Sequence, residues 1–368
     1  METTPAFCPT SAEDKATPRS PSKFHSIISS SHQLWLPTEI SSPRSTFTSD
    51  YCIAQELTVS SVKPTHYGLD LANLNRESFT YDGTVKISLQ LQKATSTISI
   101  NSKQLTLHSG SVYIDSSKIT VAVKDISYDK KTEIAELSLA EEIPSEGTAS
   151  LTIEFSGALN HEMAGFYRSA YKIDGKDDWM YSTQFESCDA RRAFPCFDEP
   201  NLKATFDFSI EIPENYTALS NQPEKESKDV GNGLKKVTFT TAPKMSTYLY
   251  AWACGELEYV ESFTEREYEG RGKLPVRVYT TKGLSEQGRF ALENACKIVD
   301  FFSEVYFKPS RILNEANDFK SFKIDYPLPK VDLLAVHEFV IISRYRSPPY
   351  FNADTRLGSH TALYVSPI

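Results

Sequence analysis

Seven histidines, at positions 25, 32, 66, 108, 161, 337 and 360, are the first residues to weigh for metal or acid–base chemistry. A zinc hydrolase of the helical type needs two histidines four apart on one helix face, with a glutamate between them as base. His161-Glu162 continues as Met163-Ala164-Gly165, and His337-Glu338 as Phe339-Val340-Ile341, so neither supplies the second ligand. The six cysteines (Cys8, Cys52, Cys188, Cys196, Cys254 and Cys296) show no C-x-x-C spacing. In a chain this long they point to a reducing compartment, not to a disulfide framework; Cys188 and Cys196 could pair in an oxidising one, but read better as small buried side chains. No glycine-rich phosphate loop and no G-x-S-x-G elbow is present. The densest constellation is Gln184, Glu186, Asp189, Arg191, Arg192, Asp198 and Glu199. If 182–186 is a strand, Gln184 and Glu186 share one face by the two-residue period. Taken alone, Glu186 would be a solvated strand carboxylate, and the charges after it an ion-paired turn that ties a loop to its neighbours.

The elements that must position these residues are mostly strands. From Val62 to about Glu261 the dominant period is two: Val85, Ile87, Leu89 and Leu91 alternate with polar partners, as do Leu151, Ile153 and Phe155. Ala204 to Ile212 is the cleanest run, and such alternation marks strands with one face on a core. Turn signals fall at Tyr81-Asp82-Gly83, Ser109-Gly110, Ser145-Glu146-Gly147 and Gly231-Asn232-Gly233. The expectation is antiparallel sheets packed on each other. After Lys273 the pattern changes. Leu274, Val276 and Val278 make one more strand, and Leu284 to Tyr306 reads as a helix whose stripe is Ala291, Leu292, Ala295, Ile298, Val299, Phe302 and Val305. Val331 to Val336 is nearly all apolar, as in a strand covered on both faces of an α/β sheet.

Composition narrows the function classes. With 48 acidic against 39 basic residues the net charge is −9, which argues against a nucleic-acid partner. No run approaches the ~18 consecutive apolar residues of a membrane span. Residues 1–58 are rich in Ser, Thr and Pro and are expected to be a disordered tail. Their acidic residues weaken a transit-peptide reading, and no signal peptide opens the chain, so a cytoplasmic home is expected.

The stretch Ser182-Thr183-Gln184-Phe185-Glu186-Ser187-Cys188-Asp189-Ala190-Arg191-Arg192-Ala193-Phe194-Pro195-Cys196-Phe197-Asp198-Glu199-Pro200 closely resembles a signature of the M1 zinc aminopeptidases, the puromycin-sensitive and fungal cytosolic branch above all. Val62-Lys63-Pro64-Thr65-His66-Tyr67, Gly165-Phe166-Tyr167-Arg168-Ser169, Met245-Ser246-Thr247-Tyr248-Leu249 and Tyr326-Pro327-Leu328-Pro329-Lys330-Val331-Asp332-Leu333 resemble further family blocks, in the family's order. The resemblance implies a mainly β protein: a saddle-shaped antiparallel β-sandwich domain over 59–270, then the incomplete start of an α/β thermolysin-like catalytic domain over 271–339. It implies that Glu186 grips the free α-ammonium of a peptide substrate and that Gln184 lines the pocket for the first side chain. A carboxylate there would set the register for removing single residues.

The sequence also departs from that family. After Phe339 the family continues with Gly-Ala-Met-Glu-Asn, whose glutamate is a second amine anchor, and later with the zinc helix. Residues 340–368 resemble neither, and 307–321 reads as an insertion. A retained intron or a misassigned gene boundary would explain both. The parent family holds one Zn²⁺, and this chain is expected to hold none and to have no turnover of its own, because an amine anchor cannot replace the metal. The expected partners are peptides with a free amino terminus, with neither nucleic acid nor membrane. The alternative is a non-catalytic β-domain kept as a protein-interaction scaffold.

Overall fold

Alternating burial builds the strands as the sequence predicts: along Ala204–Pro213 the side chains of Ala204, Phe206, Phe208, Ile210 and Ile212 point into the core while Asp207 faces solvent. The computed structural model describes residues 61–173, 175–305, 326–337 and 362–365. The expected tail 1–58, the expected insertion 307–321 and all of 340–368 except 362–365 lie outside the described residues. The strands are, in chain order, β1 (Val62–Asn75), β2 (Thr80–Leu91), β3 (Thr95–Asn101), β4 (Leu105–Ile114), β5 (Ile119–Asp129) and β6 (Ile134–Ile143). There follow β7 (Gly147–Ala158), β8 (Gly165–Ile173), β9 (Lys176–Gln184), β10 (Ala204–Pro213), β11 (Thr217–Ser220), β12 (Glu224–Gly231) and β13 (Leu234–Phe239). The rest are β14 (Ala242–Met245), β15 (Trp252–Gly255), β16 (Leu257–Tyr268), β17 (Gly272–Thr281), β18 (Val331–Val336) and β19 (Ala362–Val365), with one helix, α1 (Arg289–Val305), among the described residues.

Three sheets result. The first has eleven strands in the order β12-β13-β10-β1-β2-β7-β4-β5-β6-β3, with β14 added beside β10. The second is β11-β15-β9-β8. These two share one core, joined by stacked and tilted rings: Phe206 on Tyr250 at 4.5 Å and Phe208 on Trp252 at 4.9 Å between centroids. The chain is therefore mainly β, as expected, but not wholly antiparallel. β1 and β10 run parallel, with His66 opposite Thr205 and Leu71 opposite Ile210.

Two expected turns are strand interiors. Gly83 lies within β2 and Gly110 within β4, where a bulge separates Leu107 from Ser109. Both are glycine because a neighbour crowds the backbone. A Cβ on Gly83 would meet the Phe155 ring at 2.4 Å, and one on Gly110 would meet Val123 at 2.9 Å. The other two signals are turns: Ser145-Glu146-Gly147 leads into β7, and Gly231-Asn232-Gly233, all at positive φ, links β12 to β13.

The third sheet is β16-β17-β18-β19. β17 and β18 are parallel, and Val331, Leu333 and Val336 of β18 are buried as the continuous apolar run predicts. α1 covers one face through Leu292, Ala295 and Cys296 against Val276, Val278, Val331 and Leu333. The helix starts later than expected, behind a 3-10 turn at Ser285–Gly288, and its predicted stripe is only partly used. Ile298 and Phe302 are about half exposed. The other face places Tyr279, Leu334 and Val336 against Tyr167, Tyr171, Met180 and Ala253 of the second sheet.

Candidate functional site

β9 ends at Gln184, so the expected strand 182–186 stops two residues early, and Glu186 stands just beyond it. Phe185 fixes that exit. It is buried against Phe194 at 6.1 Å and Trp252 at 5.2 Å, and the next residue is thereby pushed outward. Glu186 is exposed, and the peptide bond between Glu186 and Ser187 is cis. Gln184 is half-buried opposite Gly165 of β8, and its Oε1 is buried with no hydrogen-bond partner. An unpaired buried acceptor of this kind costs about 1–3 kcal/mol unless a donor reaches it. The two residues singled out from the sequence thus sit at one strand end, one carboxylate open to solvent and one amide oxygen buried.

The loop that follows is rigidly tied. Arg191 is only 3% exposed, and its guanidinium donates to Asp198 Oδ2 at 3.0 Å, to the Asp198 carbonyl at 3.2 Å and to Glu133 Oε2 at 3.2 Å. Asp198 accepts in addition from Thr247 Oγ1, and its backbone N–H donates to Asn101 Oδ1 at 3.0 Å. That is the physical content of the Met245-Ser246-Thr247-Tyr248-Leu249 block: one hydroxyl locks the loop's buried carboxylate. Arg192 donates to Asp189 Oδ1 at 2.7 Å, Gln104 Oε1 at 2.8 Å and Glu162 Oε2 at 2.7 Å. Burial raises the Asp189 carboxyl above its usual range, with the Arg192 guanidinium opposing. Tyr81 Oη donates to the Ala193 carbonyl at 2.8 Å, and the Phe197 N–H donates to Tyr67 Oη at 3.1 Å. Gly165 completes the brace, since a Cβ there would meet Arg192 at 2.6 Å. The charges are thus an ion-paired tie between loop and β-domain. Sequence reasoning missed Glu133, Asn101 and Thr247 as its partners, because nothing local marks them.

The thiols divide. Cys196 and Cys254 are free and fully buried, and burial pushes Cys254 up to about 12. Cys188 is half-buried. His337 Nε2 pairs with Thr281 Oγ1 at 2.8 Å, and its ring stacks on Tyr171 at 5.3 Å. Glu162, beside His161, is engaged with Arg192. Among the described residues no three of His, Cys, Asp or Glu converge, so the donor set that zinc requires is not assembled by them. No helix among them is long and apolar enough to cross a membrane.

The chain resembles known proteins over much of its length. The profile of the Peptidase M1 N-terminal domain matches residues 63–249, about half of the chain. Over 279 residues the chain is 38% identical to the puromycin-sensitive aminopeptidase of Caenorhabditis elegans, a match covering 75% of this chain and 27% of that protein. It is 39% identical over 291 residues to the alanine/arginine aminopeptidase of Saccharomyces cerevisiae, covering 78% and 30%. It is also 39% identical over 279 residues to aminopeptidase M1 of Arabidopsis thaliana, covering 75% and 29%. The chain therefore spans under a third of the length of these relatives. The braced loop after β9 lies within the matched segment 63–249, and through its amino-terminal domain the chain belongs to the peptidase M1 family.

Proposed function

We propose that this chain is the substrate-docking, amino-terminal portion of an M1-type zinc aminopeptidase, a cytoplasmic peptide hydrolase in its parent form. It engages peptides by their free amino terminus and does not turn them over by itself. The observation that carries the reading is Glu186: an exposed carboxylate at the end of β9, beside the half-buried Gln184, on a loop immobilised by Arg191, Asp198 and Thr247. An ammonium is the natural ligand of such a carboxylate, and a charged hydrogen bond to it contributes about 1.5–3 kcal/mol. Gln184 would meet the first side chain. Zinc, where the parent enzyme holds it, would supply water activation and carbonyl polarisation; the described residues of this chain bring together no three side chains able to hold it. Residues 59–270 form the docking domain in this reading and 271–339 the start of the catalytic one.

Isothermal titration with a short peptide bearing a free amino terminus, and with its acetylated counterpart, tests the anchor. Binding of the free peptide at least tenfold tighter is expected, with Glu186→Gln erasing the difference. Equal binding of both peptides would refute it. A fluorogenic aminoacyl substrate with added Zn²⁺ should show no hydrolysis by the purified chain.

A further inference from the structure

The loop between β9 and β10 carries two adjacent arginines with different partners. Arg191 is buried and holds Asp198 and Glu133, so it serves the fold. Arg192 instead reaches the turn that bears Glu186. The Asp189 N–H donates to the Phe185 carbonyl at 2.9 Å and closes residues 185–189 into one turn, with Glu186 on it. Arg192 grips the far end of that turn twice: its backbone N–H donates to the Asp189 carbonyl at 3.1 Å, and its Nε to Asp189 Oδ1 at 2.7 Å. Its Nη1 donates to Gln104 Oε1 at 2.8 Å and to Glu162 Oε2 at 2.7 Å. The guanidinium thus ties the turn to two other connections, 102–104 between β3 and β4 and 159–164 between β7 and β8. The Arg192 Cβ also leaves no room for a side chain on Gly165, the residue paired with Gln184.

Backbone strain converges on the same place. Gln104 has φ +58°, and Met163, next to Glu162, has φ +56°. Left-handed backbone is uncommon outside glycine and persists where its surroundings over-determine it. The Glu162 N–H is itself fixed, donating to Asn160 Oδ1 at 2.7 Å. Both acceptors therefore sit on or beside constrained backbone, unlike those of an ordinary surface ion pair.

We propose that Arg192 is a positioning residue: it fixes the Phe185–Asp189 turn so that the Glu186 carboxylate is held where the terminal ammonium of a peptide arrives. The proposal rests on the anchoring reading above and deepens it. A carboxylate on a loose turn has to be ordered when the ligand binds, and that ordering weakens binding. A turn fixed beforehand is spared it. Arg192 acts on Glu186 through Asp189 and the backbone, not by contact with the ligand.

Isothermal titration of the full chain with the free and the acetylated peptide gives the test, read as the ratio of the two affinities. In Arg192→Met that ratio should fall at least threefold while the affinity for the acetylated peptide stays the same. In a Glu186→Gln chain, where the ratio is already lost, adding Arg192→Met should change neither affinity, the signature of two residues acting as one unit. A purely structural arginine would lower both affinities together in either background, and that result overturns the proposal. So does a folded Arg192→Met chain that keeps the wild-type ratio. Equal binding of both peptides by the wild-type chain would sink the anchoring reading and this proposal with it. Should Arg192→Met fail to fold by circular dichroism, Asp189→Ala removes the acceptor through which Arg192 acts. A fall of at least twofold in the ratio is expected there, and an unchanged ratio overturns the proposal.

Discussion

Arg191 is the residue whose loss the fold should tolerate least. Removing one partner from a buried ion pair leaves the other charge uncompensated, which costs about 3–5 kcal/mol. Arg191→Met is expected to destabilise by that order in urea unfolding, because Asp198 stays buried behind it. Arg191→Lys should recover little, since one ammonium cannot reproduce the fork that reaches both Asp198 and Glu133. Cys254 gives a pH prediction. Its folded value near 12 lies above the ordinary thiol range of about 8.5, so the unfolded chain releases this proton first. Its contribution is whole below about pH 8.5 and is lost as pH rises toward 12, at up to about 1.4 kcal/mol per pH unit. Cys254→Ala should flatten that part of the alkaline decline measured by denaturant unfolding. A slope unchanged by the substitution would contradict the assignment. Gln184 and Glu186 stand out in the sequence only because the whole stretch Ser182–Pro200 resembles a known signature; as isolated side chains they carry no mark. The burial of Arg191 was not legible, because arginine is ordinarily exposed and its partner Glu133 lies 58 residues away.

Among elements, β7 and β2 show what glycine does inside a strand. Gly157 of β7 lies under the ring of Tyr81, and a Cβ there would meet that ring at 2.4 Å. Gly157→Ala should therefore displace Tyr81, break its hydrogen bond to Ala193 and cost about 1–3 kcal/mol by overpacking. Thermal unfolding, with the Tyr81 ring followed by NMR, would check both parts. The same crowding explains why Gly83 and Gly110 misled the sequence reading: glycine marks close approach as well as turns. Strands that alternate, such as β10, could be read directly from the sequence. β12 could not, since Glu224–Gly231 is exposed along its whole length and so has no period to reveal it. The parallel pairing of β1 with β10 was equally hidden, because register between distant strands leaves no local trace.

For the molecule as a whole, the buried cluster of Tyr167, Tyr171, Met180 and Ala253 with Tyr279, Leu334 and Val336 spans the proposed boundary at residue 270, and the β16–β17 hairpin crosses it. A fragment of residues 59–270 is expected to keep the core shared by the first two sheets and to fold. It should nevertheless expose that aromatic face and self-associate as its concentration rises in sedimentation velocity. A fragment that stays monomeric at all concentrations would show that the third sheet contributes little cover. The parallel β1–β10 pair carries a further consequence, for biosynthesis. His66 and Thr205 are 139 positions apart, so at roughly 5–20 residues per second β1 leaves the ribosome about 7 to 28 seconds before its neighbour. Through that interval one side of the nascent hairpin is bare backbone, and a holdase at the exit tunnel has its longest-lived client edge there.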